Sequence, residues 1–84
     1  MREYTLDARL LEPPEPFVRA SAILQDMKSG EYLRMHHRRV PYPLFDFCHD
    51  QGLSYTVINQ DELGCELIIY FESDIEPLKS QGVL

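Results

Sequence analysis

The sequence predicts an α+β fold, a two-layer α/β sandwich with the element order β-α-β-α-β-β. Two observations predict it. Short stretches of alternating apolar and polar residues take turns with two stretches of helical periodicity, and prolines and glycines mark the boundaries between them. Crossovers this short are right-handed, so both helices should cover one face of a single four-stranded mixed sheet.

The first half of the chain predicts two parallel strands joined by a helix. Tyr4–Asp7 and Tyr32–His36 alternate apolar and polar residues, as half-buried strands do. Between them, apolar residues recur at helical spacing from Pro14 onward, and Gly30 ends the helix. A proline suits this start because its missing N–H costs little in a first helical turn.

The second half predicts a shorter helix and a hairpin. Pro41 and Pro43 open the helix, and Gly52 closes it. The two remaining strands and the hairpin loop between them are predicted at Leu53–Asn59, Cys65–Glu72 and Gln60–Gly64. The pattern dissolves after Glu72, so we expect one domain over residues 1–72 and a flexible C-terminal tail over residues 73–84.

Alternation along the strands assigns the side chains to two faces. The core under the helices is predicted to contain Leu6, Phe17, Ala20, Leu24, Met27, Leu33, Met35, Leu44, Cys48, Val57, Leu67, Ile69 and Phe71. Ile58, Ile68 and Tyr70 then point to the uncovered face. Two interpretations of that face stay open: a contact surface for a partner, or surface residues that the tail covers.

Length and composition narrow the class of protein. The chain has 84 residues, 44% of them hydrophobic, and a formal net charge of −6. This composition is sufficient for one modest core, and the acidic balance argues against a nucleic-acid binder. No apolar run is long enough for a membrane span, and the first residues lack a signal-peptide segment, so we expect a cytoplasmic protein. We also expect a monomer or weak dimer. Cys48 and Cys65 fit no metal or redox spacing and are assigned to packing.

Polar residues concentrate just after the first two strands. Parallel strands end at the same edge of a sheet, where ligands of α/β folds bind. These loops would bring together Asp7, Arg9, Glu12 and Glu15 with His36, His37, Arg38, Arg39 and Tyr42. Helix starts and arginine forks favour anions, which predicts a ligand-binding site made of Arg9, Glu12, Glu15, His37, Arg38, Arg39 and Tyr42. The alternative is that Arg9 and Arg39 pair with Asp7, Glu12 or Glu15 and only tie the loops together.

The histidines of these loops also suggest a metal site or acid–base chemistry. Imidazole and thiolate groups suggest a metal site at His36, His37, Cys48 and His49. Adjacent strand residues point to opposite faces and adjacent helix residues lie about 100° apart, so at most two ligands converge, and we expect no metal and no cofactor. His37 beside Glu12 or Glu15 suits a general acid or base, but no nucleophile or oxyanion donors accompany it.

One segment resembles a known family. The run Leu6-Asp7-Ala8-Arg9-Leu10-Leu11-Glu12-Pro13-Pro14-Glu15-Pro16 is similar to the opening signature of the SirA/TusA-like sulfur carriers, Leu-Asp-x-Arg-Gly-Leu-x-Cys-Pro-x-Pro. The resemblance implies their two-layer fold, in which a cysteine at the start of the first helix carries a persulfide. Here Pro13 stands at the cysteine position and Leu10 at the glycine position. Proline cannot hold sulfur, so sulfur-carrier activity is rejected on chemistry.

A closer resemblance is to the bacterial family called domain of unknown function 2249. That family has Glu-Pro-Pro-Glu-Pro in place of the Cys-Pro motif and a His-x-Arg-x-Pro-x-Pro-Leu segment after strand two. The matching segments are Glu12-Pro13-Pro14-Glu15-Pro16 and His37-Arg38-Arg39-Val40-Pro41-Tyr42-Pro43-Leu44. Members also occur joined to hemerythrin-like modules, which implies a redox or nitrogen-oxide setting without fixing an activity.

Two classes of function remain open. The first is a non-catalytic binding or adaptor domain that recognises a protein partner or a small anion. The second is a small enzyme or redox accessory that uses His37 with the nearby carboxylates. We expect neither a nucleic acid nor a membrane as partner.

Overall fold

The elements follow the predicted order as far as the fourth strand. The computed structural model describes all residues, 1–84. Its elements are β1 (Arg2–Asp7), α1 (Glu15–Asp26), β2 (Glu31–His37), α2 (Tyr42–Asp50), β3 (Leu53–Asp61), β4 (Gly64–Phe71), a 3-10 turn (Glu72–Asp74) and α3 (Ile75–Ser80). The predicted α+β class and β-α-β-α-β-β order are therefore confirmed, and one further helix follows them.

The four strands form one mixed sheet in the order β1-β2-β4-β3. β1 and β2 are parallel, whereas β4 is antiparallel to both β2 and β3. Because β4 begins where β2 ends, with Cys65 opposite His37, the β3–β4 hairpin lies at the same edge as the loops after β1 and β2. Three loops therefore meet at this edge. The sequence analysis places only the loops after β1 and β2 there.

The main core lies between the sheet and the helices α1 and α2. Each helix begins with proline in its first turn and has no side-chain cap, so its position depends on packing. α1 buries Ala20 and Leu24, and α2 buries Leu44 and Cys48. These side chains belong to one cluster of 13 buried residues that also includes the alternate residues of β2 and β4 facing the helices. The prediction that both helices cover one face is confirmed.

The predicted core differs from the observed one mainly at its ends. Phe17 is 38% exposed, and its ring packs edge-on against Phe47 of α2. Leu6, Val57 and Phe71 pack on the cluster but are only partly buried. Three residues outside the predicted core, Ala8, Phe45 and Leu53, are buried in the cluster, and Cys65 packs there as its assignment to packing predicts.

The C-terminal segment covers part of the opposite face. The sequence predicts no regular structure after Glu72, but residues 72–80 are helical and Leu78 is fully buried. Leu78 belongs to a second cluster with Tyr32, Ile68 and Tyr70, against which Ile58 and the last residues of the chain also pack. Of the two interpretations left open for this face, the structure supports cover by the C-terminal segment, and the folded unit continues past residue 72.

No helix of the structure combines the length and the apolar character that crossing a membrane requires.

Candidate functional site

The loops after β1 and β2 are tied to each other at the shared edge of the sheet. The backbone N–H of Ala8 donates to the carbonyl of His36 at 2.8 Å. Farther out, the Arg38 guanidinium donates to the carbonyl of Leu11 at 3.2 Å and lies 3.7 Å from a carboxylate oxygen of Glu12. The two polar loops are therefore brought together as predicted, and the ion pair between them is made by Arg38, not by Arg9 or Arg39 as the ion-pair alternative has it.

Alternation along β2 sends the two adjacent histidines of the predicted polar cluster to opposite faces of the sheet. His37 points to the helix side and His36 to the side of α3. Arg9 lines a surface groove with His36, whereas Arg39 and Tyr42 line a different groove with His37. The seven predicted residues thus do not form one site.

The groove on the side of Arg9 and His36, which we call the polar groove, is lined by charged side chains that are paired with other groups of the protein. Its volume is about 330 Å³, and it is lined by Arg9, His36, Asn59, Gln60, Asp61, Leu63, Gly64, Cys65 and Glu66. Arg9 makes a bidentate pair with Asp7, at 2.9 and 2.7 Å, and this pair holds the pKa of the Asp7 carboxyl well below its usual range. The Arg9 fork is therefore already filled by an internal carboxylate.

A charge network extends from the polar groove along the sheet. The Arg34 guanidinium donates to Glu3 at 2.9 Å and to Glu66 at 2.6 Å. Glu66 also accepts a hydrogen bond from the Asn59 amide at 2.9 Å and lies 3.8 Å from His36. These contacts lower the pKa of Glu66 and of Glu3 and raise that of Arg34. Because the charged groups satisfy one another, this network is a structural feature of the sheet.

A second groove of about 330 Å³ lies between the loop after β1 and the loop after β2. We call it the proline groove; it is lined by Pro13, Pro14, Pro16, Phe17, Met35, His37, Arg39, Val40, Pro41, Tyr42, Pro43 and Leu44. Its walls are the two proline-rich motifs that the sequence analysis singled out. Apolar walls with only a few polar groups are typical of sites for small organic molecules.

His37 is held in one tautomer at the base of the proline groove. Its side chain is only 9% exposed, and Nδ1 accepts a hydrogen bond from the backbone N–H of Arg39 at 3.2 Å. Burial, together with the charges of Arg39 and Arg38, lowers the pKa of His37 below its ordinary value of 6.5. The ring is therefore neutral at pH 7, and since Nδ1 is the acceptor, its proton is on Nε2. Nε2 has no protein partner and is not fully enclosed, so it offers one N–H donor.

Arg39 lines the same groove and carries an unpaired positive charge. Its side chain is exposed, and no carboxylate lies within 4.0 Å of its guanidinium. Its backbone is fixed on both sides, because the N–H donates to His37 and the carbonyl accepts a hydrogen bond from the Cys65 thiol at 3.3 Å. The Arg39 guanidinium is therefore free to bind a ligand, while the Arg39 backbone is held in place.

The two predicted glutamates are occupied elsewhere. Glu15 pairs with Arg19 one turn along α1 at 3.3 Å, and Glu12 is the partner of Arg38. Neither of them lines the proline groove or is among the groups that shift the pKa of His37. The couple between His37 and a glutamate that an acid–base mechanism needs is not formed.

Tyr42 lies on the rim of the proline groove, 69% exposed, with its ring edge-on to Phe45. It is thus one of three predicted site residues, with His37 and Arg39, that the structure brings together.

The metal-ligand types do not converge. His36 and His37 lie on opposite faces, Cys48 is fully buried in the core, and His49 is bonded to the Tyr55 hydroxyl at 3.2 Å. No group of three or more His, Cys, Asp and Glu side chains is placed to hold a metal ion.

Sequence reasoning missed the contribution of the β3–β4 hairpin to the site. Gly64 packs directly behind the His37 carbonyl, and Cys65 bonds to the Arg39 carbonyl. None of the prolines was predicted as a site residue, although they form the groove walls. The recurrence of prolines in both loops was a usable signal, whereas nothing local in the sequence places Cys65 behind Arg39.

Comparison with known proteins agrees with the motifs. No curated protein and no solved structure matches the chain. A family described as "Uncharacterized conserved protein (DUF2249)" matches residues 5–69, which include both proline motifs and end within β4, before α3. The match covers most of the chain, and the protein therefore belongs to the DUF2249 family.

Proposed function

We propose that the protein is a non-catalytic binding domain and that its ligand, a small anion with an apolar part, occupies the proline groove. One observation carries this proposal. His37, whose Nε2 has no protein partner, and Arg39, whose guanidinium has no carboxylate partner, both line a groove whose other walls are apolar. A few polar groups on apolar walls provide both orientation and affinity for a small molecule.

The opposite face of the sheet offers less to a partner. Ile68 and Tyr70, which would form an apolar contact surface, are covered by α3. The charged groups beside them pair with each other, as Arg34 does with Glu66. The proposal therefore places the ligand on the helix side of the sheet.

The enzyme alternative gains no support from the groove. His37 has no carboxylate partner, and the lining contains no serine, threonine or cysteine that would act as a nucleophile. A redox or nitrogen-oxide setting and the likeness to the SirA/TusA fold stay predictions from the family resemblance. A cytoplasmic location stays a prediction from the lack of apolar segments in the sequence.

The test is a binding map on the full chain. Native mass spectrometry of the gently purified protein looks for a retained small molecule, and amide chemical shifts are then followed while a mixture of small charged and neutral fragments is added. We expect shifts at His37, Arg39 and the neighbouring loop residues. Shifts confined to the polar groove, or to the residues around α3, would overturn the proposal.

Two exposed residues give matched variants for this map. Tyr42 is 69% exposed on the proline groove and Leu63 is 85% exposed on the polar groove, so Tyr42→Ser and Leu63→Ser should both fold. We expect Tyr42→Ser alone to weaken fragment binding. If Tyr42→Ser binds as tightly as wild type and Leu63→Ser loses binding, the ligand lies in the polar groove and the proposal is wrong.

A further inference from the structure

We propose that the proline groove selects a monocarboxylate on an apolar body, such as a short aliphatic or aromatic acid, and that Arg39 and His37 determine this selectivity. The inference rests on the proposed function and adds the class of ligand.

The donors of the groove match a single carboxylate. Arg39 supplies a planar guanidinium with no internal partner, and His37 supplies one neutral N–H from Nε2. A carboxylate has two oxygens in one plane, so one can accept from the guanidinium and the other from the imidazole. A single cation beside a neutral donor balances one negative charge.

The same groove is poorly equipped for phosphate. Phosphate sites at helix starts rely on free backbone N–H groups. At the start of α2 these are absent or used, because Pro43 has none, the N–H of Tyr42 donates to the Val40 carbonyl at 3.1 Å, and that of Leu44 donates to the Pro41 carbonyl at 3.0 Å. At the start of α2 a dianion would therefore meet one arginine and no free backbone N–H, because the N–H of Phe45 also donates to the Pro41 carbonyl, at 3.3 Å.

The walls define the rest of the ligand. Beyond the two donors, the groove presents proline rings, Phe17 and Tyr42, which suit an aliphatic chain or an aromatic ring but not a second charged group. Its volume of about 330 Å³ is at the small end of the range for ligand pockets. We therefore assign the carboxylate to a free small acid rather than to a segment of a partner protein.

The first test compares ligands that differ only at the polar group. Benzoate, benzamide and inorganic phosphate are titrated into the wild-type protein at pH 7 and constant ionic strength, and amide shifts are followed. We expect benzoate to bind at His37 and Arg39 at least tenfold more tightly than benzamide, and phosphate to give no shifts at these residues. Equal binding of benzoate and benzamide would overturn the carboxylate assignment while the proposed groove stands.

The second test uses two arginine variants with the same charge change. Arg39→Gln should weaken benzoate about ten- to a hundredfold, as expected for the loss of a charge-assisted hydrogen bond. Arg9→Gln is the control, because the Arg9 guanidinium is paired with Asp7 and lines the polar groove. A loss of similar size in both variants would show a general charge effect and overturn the role of Arg39.

The third test separates binding by His37 from its role in holding the loop. In His37→Asn, the side-chain oxygen takes the place of Nδ1 and can still accept the Arg39 N–H, but the outward N–H is lost. We expect at least a fivefold weaker affinity for benzoate with an unchanged affinity for benzamide. An unchanged ratio between the two ligands would remove His37 from the selectivity, and the arginine variants keep the proposal testable if this variant does not fold.

A final arm distinguishes the two sources of a carboxylate. A capped peptide with one aspartate between leucines is titrated alongside hexanoate. We expect the free acid to bind at least as tightly as the peptide. A peptide that binds more than tenfold more tightly, with shifts that spread beyond the groove, would overturn the assignment to a free acid. Absence of groove shifts with every probe would overturn this inference, whereas the proposed function is decided separately by the retained-ligand and fragment experiments.

Discussion

The carboxylate of Asp74 is bonded to the turn between α1 and β2, where its Oδ2 accepts a hydrogen bond from the Gly30 backbone N–H at 2.8 Å. Its Oδ1 accepts a second one from the Ser29 hydroxyl at 3.2 Å. Gly30 has a φ of +87°, so the turn is one that glycine favours, and its N–H points at the carboxylate. This contact fixes the start of α3 and places Leu78 on the sheet.

Removal of this anchor should lower the stability of the protein. We expect Asp74→Ala to reduce the free energy of unfolding by about 1–3 kcal/mol, because the Gly30 N–H loses a charged acceptor in a partly buried place. Glu76→Ala is the control, since Glu76 is an exposed acidic residue of the same segment. Urea unfolding of both variants measures the difference, and equal midpoints would mean that the anchor contributes nothing.

Leu78 should contribute strongly to the stability of the protein, although it lies near the C-terminus. Its side chain is fully buried, and we expect Leu78→Ala to cost about 2–5 kcal/mol through the cavity that it leaves against Ile68 and Tyr70. Lys79→Ala, at an exposed position of α3, serves as the control. Thermal and urea unfolding check this prediction. A mobile tail would instead tolerate Leu78→Ala, and even deletion of residues 73–84, without loss of stability.

The two cysteines should be inert in the folded protein. Cys48 is fully buried and burial raises the pKa of its thiol to about 11, and burial also raises the pKa of the Cys65 thiol. Because the thiolate is the reactive form, we expect slow labelling of both cysteines under native conditions and fast labelling in denaturant. Each Cys→Ala change should cost about 1–3 kcal/mol through a cavity and leave the fold intact. Rapid labelling of either thiol in the native protein would contradict this assignment.

His37 should make the stability of the protein depend on pH in a window of its own. Its pKa is lowered in the folded state, mainly by burial, so the unfolded chain takes up the proton first as the pH falls through 6.5. The stability present above this value therefore decreases as the pH falls toward the lower pKa of the folded state.

The measurement is the free energy of unfolding between about pH 7 and pH 5. Wild type should lose stability across this range, and His37→Asn should lose less, because the asparagine does not titrate. The lowered pKa of Glu3 and Glu66 affects stability only as the pH falls below about 4.5, so these carboxylates do not obscure the window. Parallel curves for wild type and variant would show that His37 is not the group responsible.

The fold was predictable where the pattern is local and repeated. The two-residue period of β2 sends Met35 and His37 to one face and His36 to the other, as the structure has them. The helix α3 was not predictable in this way, because six residues with two apolar side chains show no periodicity. Its stability comes from contacts with Ile68 and Tyr70, which are distant in the sequence.

The site was predictable in place but not in composition. Parallel strands bring the two polar loops to one edge of the sheet, as predicted from the sequence and as found in the structure. Which arginine is free depends on side-chain geometry. Arg9 folds back onto Asp7, two residues earlier, whereas Arg39 has no carboxylate within 4.0 Å. The sequence alone does not distinguish these two outcomes.

Gly64 should link the hairpin to the proline groove. Its φ of +149° favours glycine, and a Cβ at this position would clash with the His37 carbonyl oxygen and contact the Arg38 Cα. We expect Gly64→Ala to lower the free energy of unfolding by about 1–3 kcal/mol and to shift the amide signals of His37 and Arg39, because the backbone behind the groove must move. Gly52→Ala is the matched control, since Gly52 also has a positive φ, +70°, but open space around it. That variant should show only the backbone strain, about 1 kcal/mol, with unchanged signals at the groove. Urea unfolding and amide spectra of the two variants provide the comparison, and groove shifts of equal size in both would contradict a direct contact between Gly64 and the His37–Arg39 segment.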